Sequence, residues 1–166
     1  MIFTHSLIDQ AETLIDRART AGVMLATAES CTGGLVSALL TEIPGSSDVV
    51  DRGFVTYSNA AKTEMLGIPA RVIEANGAVS VEVARRMADE ALLRSNADIT
   101  VSITGIAGPG GSEHKPAGLV HFAMARRDGA TKTHVCRFGD RGRDAVRLAS
   151  VATALDLLAE GVDLFG

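Results

Sequence analysis

Only two cysteines, Cys31 and Cys136, occur in the 166 residues, far apart and with no Cys-x-x-Cys pair. That excludes a disulfide framework, and both thiols are expected to be free. An excess of basic charge is also missing. The net charge is −4 at pH 7, with acids and bases interspersed, so the electrostatic footprint of direct nucleic-acid binding is absent. Charged residues interrupt every apolar run before it reaches membrane-spanning length, and the first ten residues, Met-Ile-Phe-Thr-His-Ser-Leu-Ile-Asp-Gln, carry neither a basic opening nor a long apolar stretch. No membrane association and a cytoplasmic location are expected. There is no repeat, low-complexity tract or linker. The 46% hydrophobic content suits a substantial core, and residues 1–166 are expected to form a single domain.

What is present is an alternation of helices and strands. Leu7, Ile8, Ala11, Leu14, Ile15 and Ala18 share one helical stripe that Gly22 ends. Val23 to Ala28 reads as a buried strand, Thr32 to about Glu42 as a helix, Gly53 to Tyr57 as a strand, and Asn59 to Leu66 as a short helix closed by Gly67 and Pro69. Ser80 caps a longer helix, Ile99 to Ile103 reads as a central strand, and Asp128-Gly129 joins strands at Leu119–Ala125 and Thr131–Phe138 as a hairpin. A last helix carries Val146, Leu148, Val151, Ala152, Leu155 and Leu158. The pattern predicts an α/β protein, a three-layer α/β/α sandwich, and the hairpin makes its mostly parallel sheet mixed.

Three stretches carry chemistry. The first, Thr27-Ala-Glu-Ser-Cys-Thr-Gly-Gly34, lies where a strand hands over to a helix and crowds hydroxyls, a thiol and a carboxylate beside two glycines. Ser30 and Cys31 are both candidate nucleophiles, with Ser30 favoured because no histidine shows a usual motif spacing to either. A lysine can serve as the base if desolvation lowers its pKa. Lysine is scarce here, and Lys62 follows a strand end, unlike Lys115 and Lys132. Tyr57 could relay a proton between hydroxyl and amine. The plainer alternative makes Ser30 and Thr32 helix caps and Lys62 a solvated helix residue.

The second stretch, Thr104-Gly-Ile-Ala-Gly-Pro-Gly-Gly111, is a backbone-rich loop at a strand end whose N–H groups could cradle an anion, yet it fits no standard phosphate-loop pattern. The third, Phe138-Gly-Asp-Arg-Gly-Arg-Asp144, could cap the last helix with Asp140 and present Arg141 to a phosphate, or be a plain capped helix with solvated arginines. Glu113 and His114 lack the further ligands a metal needs, so no metal is assigned.

Six blocks occur in order: Ala-Glu-Ser-Cys-Thr-Gly-Gly at 28–34, Pro-Gly-Ser-Ser at 44–47, Tyr-Ser-Asn-x-x-Lys at 57–62, Gly-Ala-Val-Ser at 77–80, Thr-Gly-Ile-Ala-Gly-Pro-Gly-Gly at 104–111 and Gly-Asp-Arg at 139–141. Together they resemble the CinA C-terminal domain family, over nearly the whole chain. Members of that family occur freestanding or fused behind an N-terminal domain that resembles molybdopterin-binding proteins. The family name refers to competence and DNA damage, which describes regulation rather than chemistry.

The resemblance implies a mixed five-stranded α/β/α sandwich. It also implies nicotinamide-nucleotide amidase activity, the hydrolysis of the carboxamide of nicotinamide mononucleotide to nicotinic acid mononucleotide and ammonia, with no cofactor. It makes Ser30 the nucleophile, Lys62 its general base and Tyr57 the hydroxyl that assists proton transfer. Residue chemistry then suggests Glu29, Thr32, Gly33 and Gly34 for the oxyanion and substrate-binding side of the turn. Thr104, Gly105, Ala107, Gly108 and Arg141 are expected near the ribose phosphate. A small nucleotide is the expected partner, and homo-oligomerisation is compatible with the sequence. Two alternatives stand beside the amidase: a nucleotide-binding module without turnover that acts through a protein partner, and a hydrolase of a different amide or ester.

Overall fold

The computed structural model describes residues 2–166. The Thr4 hydroxyl accepts the Leu7 N–H to open α1 (His5–Ala21), and Gly22, at φ 68°, closes it. Five strands follow: β1 (Leu25–Glu29), β2 (Val50–Val55), β3 (Ile99–Gly105), β4 (Leu119–Arg126) and β5 (Gly129–Arg137). Their order across the sheet is β2-β1-β3-β4-β5. β1 pairs in parallel with both β2 and β3, whereas β4 is antiparallel to β3 and β5. β4 alone thus runs opposite to the other strands, and the Asp-Gly hairpin turns the chain back into β5.

The sequence alternation of β3 separates the two helical layers. Ile99, Val101 and Ile103 join the core formed with α1, α2 (Leu35–Glu42) and α6 (Arg143–Leu164). On the opposite face, the hydroxyls of Thr100, Ser102 and Thr104 donate to the carbonyls of Ala88, Ala84 and Ala78 at 2.8, 2.6 and 2.8 Å. Ala84 and Ala88 belong to α5 (Val81–Leu93) and pack on Ala123 and Ala125. Small side chains bring helix and sheet close enough for these buried hydroxyls to reach backbone acceptors, which removes the cost of burying them. α3 (Asn59–Leu66) and α4 (Ala70–Asn76) complete that layer through Leu66, Ile73 and Met87.

Several expected boundaries move for identifiable reasons. β1 starts at Leu25 rather than Val23, because the Met24 N–H is taken by the Asp98 carboxylate at 2.9 Å. β2 covers Val50–Val55 rather than Gly53–Tyr57, leaving Tyr57 in the connection to α3. Helix α2 begins at Leu35 rather than Thr32, since Gly33 and Gly34 take φ values of 60° and 97° that no right-handed helix accommodates. α4 is a helix the sequence pattern does not announce: it is short, and Pro69 supplies its start without a side-chain cap. Asp140 does not cap α6; Gly142 holds that position, and the helix begins at Arg143. No helix among the described residues is long and apolar enough to cross a membrane.

Candidate active site

The site forms where the carboxyl ends of β1 and β3 meet, the place where open α/β sheets offer a crevice. Ser30 follows β1 directly, and its N–H donates to the Ile103 carbonyl at 2.9 Å, extending the ladder by one bond. The chain then turns sharply. The Gly33 N–H donates to the Ser30 carbonyl at 3.0 Å and the Leu35 N–H to the Thr32 carbonyl at 3.2 Å.

Glu29 holds this turn from inside. It is fully buried, and its carboxylate accepts the N–H groups of Gly34, Val36 and Ser37 at 3.2, 3.1 and 2.9 Å. A carboxylate thus sits on the orphan donors and positive dipole end of α2. Glu29 is therefore an anchor for the turn and not the substrate-facing residue expected from its place beside Ser30.

Lys62 comes from α3, whose first turn is set by Ser58 accepting the Ala61 N–H at 2.9 Å. The lysine is 1% exposed. Its Nζ lies 3.0 Å from Ser30 Oγ, 3.0 Å from the Thr56 carbonyl and 3.5 Å from the Tyr57 carbonyl. No ion pair among the described residues includes it. Burial therefore pushes its pKa below the ordinary lysine value, opposed by Cys31 and the Glu113 carboxylate. The carbonyls can only accept hydrogen bonds. In the neutral amine they take its two N–H groups, which leaves the lone pair for the Ser30 hydroxyl proton.

Cys31 lines the same cleft but is chemically quiet. Desolvation pushes its thiol up to about 12, so the nucleophilic thiolate is essentially unpopulated near neutrality. Tyr57 departs from the expected relay between Ser30 and Lys62, because those two already meet directly. Its side chain is 63% exposed, and its phenol oxygen accepts from Arg143 at 3.1 Å, while only its carbonyl reaches Lys62.

Ser30 and Cys31 form part of a cleft of about 390 Å³, within the usual range for small-molecule sites. Thr104, Gly105, Ala107 and Gly108 line it, together with Val79, Ile106, Asn59 and Glu113. The Thr104 hydroxyl is committed to the Ala78 carbonyl and shapes the wall rather than reaching into the space. Among the described residues, the N–H groups of Ala107, Gly108, Gly110 and Gly111 have no protein acceptor.

Two parts of the expected constellation are displaced. Thr32, Gly33 and Gly34 do not line the cleft, and the Gly33 and Gly34 N–H groups are occupied by the Ser30 carbonyl and Glu29. The unpaired N–H groups at the turn are those of Cys31 and Thr32. Arg141 also stays outside the cleft. Arg143 takes its place, its guanidinium donating to the Gly108 carbonyl at 2.9 Å and the Tyr57 phenol. The available signal for Arg143 was Gly142, which lets α6 begin two residues later than a cap at Asp140 would. Asn59 and Glu113 were also missed; Glu113 is held at φ 52° by the paired Ser112–Lys115 bridge, a loop geometry that no periodicity reports.

Comparison with known proteins places the chain in a family. A family model described as the CinA C-terminal domain matches residues 8–162. A CinA-like protein from Synechococcus sp. (strain RCC307) is 47% identical over 150 residues, covering 89% of this chain and 36% of that protein. A CinA-like protein from Mycobacterium sp. (strain JLS) is 54% identical over 140 residues, covering 83% and 33%. The chain thus spans about a third of the length of the curated relatives it matches. Among solved structures, the competence/damage inducible protein CihA from Agrobacterium tumefaciens superposes with a TM-score of 0.92 at 50% identity, covering 97% of this chain and 98% of that one. A competence-damaged protein (CinA) superfamily protein from Escherichia coli superposes with a TM-score of 0.88 at 33% identity, covering 94% and 91%.

Proposed function

The chain belongs to the CinA C-terminal domain family, and from that premise we propose that it is a nicotinamide-nucleotide amidase, converting nicotinamide mononucleotide and water to nicotinic acid mononucleotide and ammonia. The observation that carries this reading is the buried, unpaired Lys62 amine 3.0 Å from the Ser30 hydroxyl. A fold does not need such a pair, since a buried lysine with no carboxylate costs stability. A hydroxyl nucleophile does need a base with a lowered pKa.

Ser30 Oγ attacks the carboxamide carbon as its proton passes to Lys62. The tetrahedral oxyanion takes a hydrogen bond from the Cys31 N–H, which follows Ser30 at the wall of the cleft. Lys62 returns the proton to the departing nitrogen, the C–N bond breaks, and ammonia leaves a nicotinoyl ester on Ser30. Water, deprotonated by Lys62, then attacks the ester and releases the acid, restoring Ser30. Apolar Val79 and Ile106 flank the pyridine ring. The phosphate lies toward Arg143 and the free N–H groups of the loop from Ala107 to Gly111, which combine a guanidinium fork with backbone donors. Tyr57 serves this site by holding Arg143 through its phenol and Lys62 through its carbonyl.

Arg143→Met is expected to raise KM by about ten- to hundredfold, as loss of a charged hydrogen bond does, with kcat changed far less. Steady-state kinetics on the mononucleotide separates the two constants, and an equal fall in kcat would move Arg143 from binding to chemistry. Cys31→Ala retains the backbone donor, so its turnover is expected to stay within about threefold of wild type, because a thiol held protonated contributes no nucleophile. A complete loss would restore Cys31 as the attacking group.

The reading is tested by measuring ammonia and nicotinic acid mononucleotide from the purified protein and nicotinamide mononucleotide. Equal amounts of both products support it. Binding of the nucleotide without either product would favour the binding module, and acyl transfer to Ser30 from another amide with the mononucleotide left intact would favour a different hydrolase.

A further inference from the structure

The Ser30 turn is gripped from outside the cleft by a cation that the reaction scheme above leaves unused. Arg147 lies one helical turn after Arg143 on α6. Its Nε donates to the Cys31 carbonyl and its Nη2 to the Thr32 carbonyl, each at 3.2 Å. Arg147 is half-buried, and no ion pair among the described residues includes it. Its full charge is therefore spent on two peptide carbonyls.

Each carbonyl shares its peptide group with the N–H of the next residue. A cation bound to a carbonyl oxygen draws electron density from that peptide and makes its N–H a stronger donor, an effect that low local dielectric enhances. The Cys31 carbonyl belongs with the Thr32 N–H, which has no protein acceptor among the described residues. The Thr32 carbonyl belongs with the Gly33 N–H, which closes the turn on the Ser30 carbonyl at 3.0 Å. One guanidinium thus acts on the peptide that follows Cys31 and on the bond that fixes the nucleophile's backbone. Its planar fork spans two adjacent carbonyls, which a lysine ammonium cannot match with the same geometry.

We infer that Arg147 is a positioning residue for the Ser30 centre, its guanidinium holding the Cys31 and Thr32 carbonyls and strengthening the Gly33 N–H bond to the Ser30 carbonyl, so that the nucleophile and the Cys31 N–H beside it stay aimed into the cleft. The inference rests on the reading of Ser30 as a nucleophile activated by Lys62. It does not depend on which amide is cleaved.

The experiment pairs two readouts on wild type, Arg147→Met and Arg147→Lys. One is steady-state ammonia release from nicotinamide mononucleotide. The other is the second-order rate of Ser30 labelling by an alkyl fluorophosphonate, in which Ser30 Oγ bonds to phosphorus, fluoride leaves and the hydroxyl proton goes to Lys62. The P=O oxygen then occupies the oxyanion position. Arg147→Met is expected to lower kcat and the labelling rate by a similar factor, roughly ten- to a hundredfold, with KM unchanged within about twofold. Arg147→Lys falls between wild type and Arg147→Met in both.

A folded Arg147→Met with both rates equal to wild type overturns the inference. If that variant fails to fold, the lysine variant decides, and an unchanged labelling rate there overturns it equally. Wild type that is labelled at Ser30 but releases no ammonia defeats the choice of substrate alone, and the labelling rates still judge Arg147. Wild type that is not labelled at Ser30 defeats both.

Discussion

Ser30→Ala is expected to lower kcat/KM for ammonia release by on the order of 10⁴- to 10⁶-fold, the scale seen when a nucleophile that acts as a unit with its base is removed. The fold gives no reason for the variant to fail otherwise. The Ser30 backbone keeps its bond to Ile103, Glu29 keeps its bonds to the turn, and the hydroxyl contacts only Lys62. Nucleotide affinity is expected to persist, because phosphate and ring contacts lie elsewhere in the cleft. The check is steady-state turnover beside a direct binding titration of the same variant. Retained turnover would mean attack by water or by Cys31, and would end the serine mechanism.

Lys62→Met carries the second large effect, a fall on the order of 10²- to 10⁴-fold in kcat, the usual contribution of a positioned general base. Its stability signature is as informative as its activity. In the folded protein Lys62 binds its proton less tightly than the ordinary value of 10.5, so the unfolded chain holds the proton over the window from the lowered pKa up to 10.5. Wild-type stability from this group therefore rises with pH across that window, and the burden of a buried ammonium is full below it. Methionine removes that burden but leaves the Thr56 and Tyr57 carbonyls without a donor, at about 1 kcal/mol each. The expected result is a variant whose stability relative to wild type is most favourable near neutrality and declines as pH approaches 10.5. Denaturant titrations at a series of pH values measure this difference. A difference that does not change with pH would mean that Lys62 is not desolvated.

The helical stripe of α1, the Asp-Gly hairpin and the central position of β3 were legible because each is written in local periodicity or turn chemistry. Ser30 and Lys62 were legible for a different reason: a strand-to-helix turn rich in hydroxyls and a scarce lysine after a strand end are unusual on a surface. The role of Glu29 was hidden. Its carboxylate meets the N–H groups of Gly34, Val36 and Ser37 only after two left-handed glycines have folded the chain back. Arg143 and Arg147 were hidden because their partners, the Gly108 carbonyl, the Tyr57 phenol and the Cys31 and Thr32 carbonyls, lie far away in sequence. The Tyr57 phenol was expected to relay a proton between Ser30 and Lys62, whereas it meets Arg143 and only the Tyr57 carbonyl reaches Lys62. Long-range closure, rather than propensity, decides each of these cases.

With only Lys62, Lys115 and Lys132 in the chain, a protein labelled with ¹³C at the lysine ε-carbons gives three resonances that can be followed through a pH titration. The account predicts that one resonance titrates below 10.5 and is absent from Lys62→Met. Three resonances all titrating at or above that ordinary value would show that Lys62 remains an ammonium at the pH of catalysis, and would contradict its role as the base that activates Ser30.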